Sequence, residues 1–180
     1  PAVAATLRVL VRPAEDASPP GVLHVEISRG DGAVLTHEVA LGESQLEIDD
    51  QGTERLAVAL TEPGWWASPV EATFAGQTEA AAALEIWPTG SLVIPARVQA
   101  RHGGADREEL PETRGVFCGC AGPDARPTDP CGEATVRVAD DASAYLVELP
   151  AGCRDLEIVT REYAAVTLDR IEVAAEKALR

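Results

Sequence analysis

Period-two alternation of apolar and polar residues constrains this chain more than any other feature. Leu7-Val9-Val11, Leu23-Val25-Ile27, Leu56-Val58-Leu60 and Val70-Ala72-Phe74 alternate, followed by Leu84-Ile86 and Leu92-Ile94. The pattern returns in Val136-Val138, Tyr145-Val147-Leu149, Leu156-Ile158 and Ile171-Val173. Successive side chains of an extended chain point to opposite faces, so each run reads as a strand with one buried face. Gly, Pro and Asp punctuate the runs, at Arg12 to Gly21, Arg29 to Gly32, Asp49 to Gly52 and Glu62-Pro63-Gly64. Short strands with regular turn signals predict an all-β, antiparallel sandwich or barrel. Gln77 to Leu84 and Ile171 to Leu179 are rich in the helix formers Ala and Glu. In both, a strand with a loose flank is the preferred reading.

The runs also repeat as a set. Asp49-Asp50-Gln51-Gly52 is followed by Leu56 to Leu60, Pro63-Gly64, Val70, Phe74 and Leu84-Ile86. Asp140-Asp141 is followed in the same order by Tyr145 to Leu149, Pro150-Ala151-Gly152, Leu156-Ile158, Tyr163, Leu168 and Ile171-Val173. This echo predicts two copies of one β module. Trp87-Pro88-Thr89-Gly90 interrupts the pattern, which puts one sandwich at 1–88 and a second, with a cysteine-bearing insertion, at 89–180.

The second copy, Asp141 to Val159 with its corner Leu149-Pro150-Ala151-Gly152, resembles the carboxypeptidase regulatory-like family. Gly90-Ser91-Leu92 and Ala96-Arg97-Val98 resemble that family's opening strand. The first copy departs from it, with Glu62-Pro63-Gly64 at the corner and Pro69 before the next strand; the insertion at 118–131 departs as well. The resemblance implies a prealbumin-like β-sandwich and a non-catalytic module, often tandem within larger exported bacterial proteins. It brings no catalytic residues, and it implies at most an accessory place beside a peptidase domain.

Charge narrows the partners. Fifteen Lys and Arg against 30 Asp and Glu leave a net charge of -15. Nucleic-acid backbones require cationic stripes, and anionic membranes attract basic ones, so both are disfavoured. No apolar run reaches the roughly 18–20 residues that span a bilayer. The chain begins at Pro1 and contains no Met, which fits removal of a signal segment or of upstream domains.

The four cysteines are Cys118, Cys120, Cys131 and Cys153. Four cysteines allow three pairings. Cys118 with Cys120 would close a very tight ring. Cys120–Cys131 stapling the Gly/Pro-rich stretch 121–130, with Cys118–Cys153 tying two strands, is the preferred pairing. The rivals are free buried thiols and zinc; C-x-C is not the usual zinc spacing, and no His lies near. Disulfides imply a periplasmic, cell-surface or secreted protein.

Three tryptophans carry the candidate binding site. Trp65 and Trp66 are adjacent, so on a strand they face opposite ways. Trp66 shares parity with Val70 and Phe74, which predicts that it faces the core. Trp65 then faces outward, where it could stack on a sugar or a protein, although packing under a loop or against the other module is the more ordinary outcome. Trp87, beside the boundary, is expected to pack between modules. Trp65, and Trp87 if exposed, are thus the candidate binding residues. The acidic pairs Asp49-Asp50 and Asp140-Asp141 sit at equivalent turns and read as turn starters rather than calcium ligands. His24, His37 and His102 form no zinc motif, and His24 with Glu26 reads as a solvated strand face. Neither a nucleophile elbow nor a phosphate loop is present, since Gly103-Gly104 reads as a turn.

These readings predict a protein that is not an enzyme and uses no cofactor or metal. They point to a structural or interaction module contacting other domains of its own protein, or an extracellular protein or glycan. A carbohydrate-binding module using exposed Trp is the alternative, and a peptidase accessory domain the weaker one.

Overall fold

The structure, a computed structural model, describes residues 4–14, 17–30, 32–49, 55–95, 113–120, 129–139, 144–160 and 166–175. All regular structure in them is β. The chain divides into two compact units, Pro1–Pro88 and Thr89–Arg180.

The first unit contains β1 (Ala4–Pro13), β2 (Val22–Arg29), β3 (Val34–Ala40), β4 (Gly42–Asp49), β5 (Arg55–Leu60), β6 (Trp65–Trp66) and β7 (Val70–Thr73). It also holds the first part of β8 (Glu79–Pro95), whose last residues belong to the second unit. One sheet runs β4-β1-β8-β6 and the other β3-β2-β5-β7. Alternation builds the core between them. Leu7, Val9 and Val11 of β1, Leu23, Val25 and Ile27 of β2, and Leu84 and Ile86 of β8 are buried in one cluster with Leu56, Val58 and Phe74. Each such side chain removed from water contributes about 1.5–3 kcal/mol. The Gln77 to Leu84 stretch joins β8 from Glu79 onward, so its Ala residues alternate in and out of the core as a strand.

One pairing departs from the all-antiparallel expectation. β1 runs antiparallel to β4 but parallel to β8, with Leu7 opposite Ala80 and Val11 opposite Leu84. A parallel neighbour requires a long connection. Here all the strands from β2 to β7 supply it, so the first and last strands of the unit close side by side.

The second unit contains the end of β8, β9 (Thr113–Gly119), β10 (Gly132–Val138), β11 (Ala144–Pro150), β12 (Gly152–Thr160) and β13 (Val166–Val173). β10 changes partner along its length. Gly132 to Ala134 pair with β9, and Thr135 to Val138 pair with β11. The strand therefore turns the corner between the layer β13-β12-β9 and the layer β11-β8. Phe117, Ala144, Val147, Leu149, Leu156, Ile158 and Val173 are among the buried apolar side chains on these strands. Gly90 has to be glycine, because a Cβ there would strike the backbone carbonyl of Ala174. β12 and β13 shift register by one between Arg154 and Leu156. Arg170 is the extra residue, at φ 54, and its N–H donates to the Asp155 carboxylate at 2.8 Å. This is a β-bulge whose extra amide is held by a side chain.

Candidate functional site

The tryptophans meet on the first unit through the short strand β6. A turn precedes it: Gly64 takes φ 79, and Trp65 N–H donates to the Glu62 carbonyl at 3.2 Å. β6 pairs antiparallel with β8, placing Trp65 opposite Pro88 and Trp66 opposite Trp87. On β8, Leu84 and Ile86 are buried and Glu85 is exposed, so Trp87 continues the outward set. Cross-strand partners share a face, and Trp66 therefore lies outward with Trp87. Trp65 is the inward one, partly buried against the core cluster.

This reverses the sequence expectation for Trp65 and Trp66. Parity carried from Val70 back to Trp66 assumed one continuous strand. The chain breaks between Ala67 and Pro69, and the tryptophans pair with β8 instead of continuing β7. Of the two candidate binding residues, Trp87 lies on the outward side of β8, and Trp66 replaces Trp65 beside it. All three rings are half-buried. The signal that finds Trp66 is the alternation along β8, where Trp87 follows Glu85 on the polar side.

Behind β6, one carboxylate holds the corner. Glu62 Oε2 lies 2.7 Å from His24 Nδ1 and also accepts the His24 backbone N–H at 3.2 Å. Thr61 N–H donates to the His24 carbonyl at 3.0 Å. Glu38, opposite His24 in the β2–β3 register, stands 3.8 Å from Nε2. The hydrogen bond to Glu62 raises the His24 pKa above its ordinary 6.5; desolvation opposes it, and the charges of Glu62 and Glu38 add to it. His24 is on the exposed face expected of it. Its link to Glu62, 38 residues away, is not visible in a local pattern.

In the second unit the cysteines all close. The disulfides are Cys118–Cys131 and Cys120–Cys153. This corrects the expected pairing of Cys118 with Cys153 and Cys120 with Cys131. Register is the reason. Phe117 faces Gly132 in β9–β10, which brings Cys131 opposite Cys118, with the Cα atoms 4.1 Å apart. Gly119 faces Arg154 in β9–β12, which brings Cys153 opposite Cys120 at 5.5 Å. The preferred pairing assumed a staple within one loop, whereas both bridges join neighbouring strands.

Beside them, Arg154 is a buried cation, 2% exposed. It donates to the carbonyls of Pro150 at 3.1 Å, Ala151 at 2.5 Å and Cys153 at 2.8 Å, and stands 3.7 Å from the Asp129 carboxylate. Desolvation lowers its pKa, and Asp129 and Glu172 oppose the shift. Gly152, at φ 107, lets the chain turn so that Arg154 folds back over the corner carbonyls. Sequence reasoning gave Arg154 no role.

Among the described residues, no three His, Cys, Asp or Glu side chains gather as a metal ion would need. None of them forms a helix long and apolar enough to cross a membrane. Asp50, Asp140, Asp141, His102 and Gly103-Gly104 lie outside the described residues.

No family model matches the sequence, and no curated protein matches it. Among solved structures, the chain is similar to a streptococcal ancillary pilin, at 9% identity and a TM-score of 0.37. The match covers 96% of this chain and 61% of the pilin chain. A likeness this distant carries no argument about function.

Proposed function

We propose that this chain is a non-catalytic structural and interaction module of a larger exported bacterial protein, and that its two units are two β-sandwich modules joined near residue 88. The closing of all four cysteines into cross-strand disulfides carries the reading. Such bridges persist in oxidising compartments such as the periplasm or the cell exterior. They pin β9 to both of its neighbours, which suits a part that bears load or resists proteases. The turn at Leu149-Pro150-Ala151-Gly152 carries the chain from β11, paired with β8 and β10, to β12, paired with β9 and β13. The contact surface in this reading is the outward pair Trp66 and Trp87, because half-buried aromatics supply large contact area at low entropic cost.

A photoreactive side chain at position 66 or 87 of the full-length protein, in its own cell envelope, tests this. Adducts with a protein of the envelope are expected, and they should be missing when the same group replaces exposed Glu47. Adduct patterns identical at all three positions would sink the reading.

The outward tryptophan pair also favours glycan binding as a second reading. Titration with soluble polysaccharides would then change tryptophan emission in the native chain and leave it unchanged in Trp66→Ala.

A further inference from the structure

We propose that His24 is a proton-operated latch on the corner from Thr61 to Trp65, and that its charge sets the position of the outward Trp66–Trp87 pair. The geometry is that of a clasp. One Glu62 oxygen takes both the His24 amide and the His24 ring, while Thr61 N–H and Oγ1 reach the His24 carbonyl at 3.0 and 3.3 Å. The Glu62 carbonyl in turn accepts the Trp65 N–H. The corner that launches β6 is therefore fastened to β2 at a single residue.

The surroundings make the clasp sensitive to charge. On the outer face around His24, β3 contributes Glu38, β2 itself contributes Glu26, and the corner after β5 contributes Glu62. These described neighbours are all carboxylates. Protonated His24 donates to Glu62 through Nδ1–H and offers its Nε2–H toward Glu38. Neutral His24 keeps one ring proton, so at most one of these contacts retains a donor. The remaining bond still ends on an ionised carboxylate but loses the attraction between opposite charges. Three carboxylates then face one another without a cation between them. The raised pKa of His24 agrees with this, because the folded corner holds the proton more tightly than water does. The latch acts on the corner itself and is independent of what the aromatic pair contacts.

NMR titration of the whole chain reads the device directly, following the His24 ring and the three indole N–H signals from acid to alkaline pH. The His24 midpoint is expected above 6.5, with the Trp66 and Trp87 indole signals moving at that same midpoint. His24→Gln should flatten the indole response and leave the amide spectrum folded. Should that variant misfold, Glu62→Gln serves instead, lowering the midpoint and shrinking the response. His37→Gln and His102→Gln should change neither. A His24 midpoint at or below 6.5, indole signals that stay still while His24 titrates, or a response that survives in His24→Gln would overturn the proposal.

Discussion

Arg154 shows how a single residue can define a corner. A guanidinium buried without partners would be costly, and here three backbone carbonyls and Asp129 surround it. Arg154→Met keeps much of the volume but removes the donors, and should cost about 3 kcal/mol, the range for breaking a buried charge network. Arg137→Met is the control. Its contact with Glu148 is 3.9 Å long, on an exposed side chain, and such pairs are worth under about 1 kcal/mol. Urea unfolding of the two variants distinguishes them. Trp65 and Trp66 separate in the same way. Trp65→Ala should lose about 3 kcal/mol of stability by emptying the edge of the core, whereas Trp66→Ala should lose less and weaken surface contacts. His24 adds a pH dependence of known sign. Its folded pKa is raised, so its stabilisation is complete below 6.5 and disappears as pH rises through the raised value. The stability difference between the native chain and His24→Gln, measured against pH, isolates that contribution and should shrink toward zero on the alkaline side.

Strands with strict alternation are the ones a reader finds in the sequence. β1, β2, β5, β7, β8, β11 and β12 all show it, because each buries every second side chain. β3, β4 and β9 do not announce themselves. β3 is an edge strand with Val34 and Leu35 both exposed, so its alternation is broken where the sheet ends. β4 uses Ser44 among its inward positions, and β9 uses Gly115 beside Phe117, so small residues blur the pattern. Missing β9 is also why the disulfide pairing was not legible: the pairing follows from the register of β9 with β10 and β12. The bridges enclose 13 and 33 residues of sequence separation. On the chain-entropy account they contribute about 3 and nearly 4 kcal/mol. Replacing Cys120 and Cys153 with Ser should therefore destabilise more than replacing Cys118 and Cys131, as thermal or urea unfolding would show.

At the scale of the whole chain, composition and alternation together indicated an all-β, acidic protein, and the structure is all-β throughout its described residues. The parallel β1–β8 pairing was not legible, since hydropathy does not encode strand direction. The outward tryptophan was misassigned because parity fails across a break in a strand. The proposed export and rigidity rest on the cysteines closing across β9, and one measurement addresses that directly. The purified protein, kept oxidised, is partially reduced and differentially alkylated, because only Gly119 separates Cys118 from Cys120, and the labelled peptides are read by mass spectrometry. Cys118–Cys131 and Cys120–Cys153 are the bonds expected. Cys118 joined to Cys153 with Cys120 joined to Cys131 would contradict the register, and four free thiols would contradict the oxidising compartment as well.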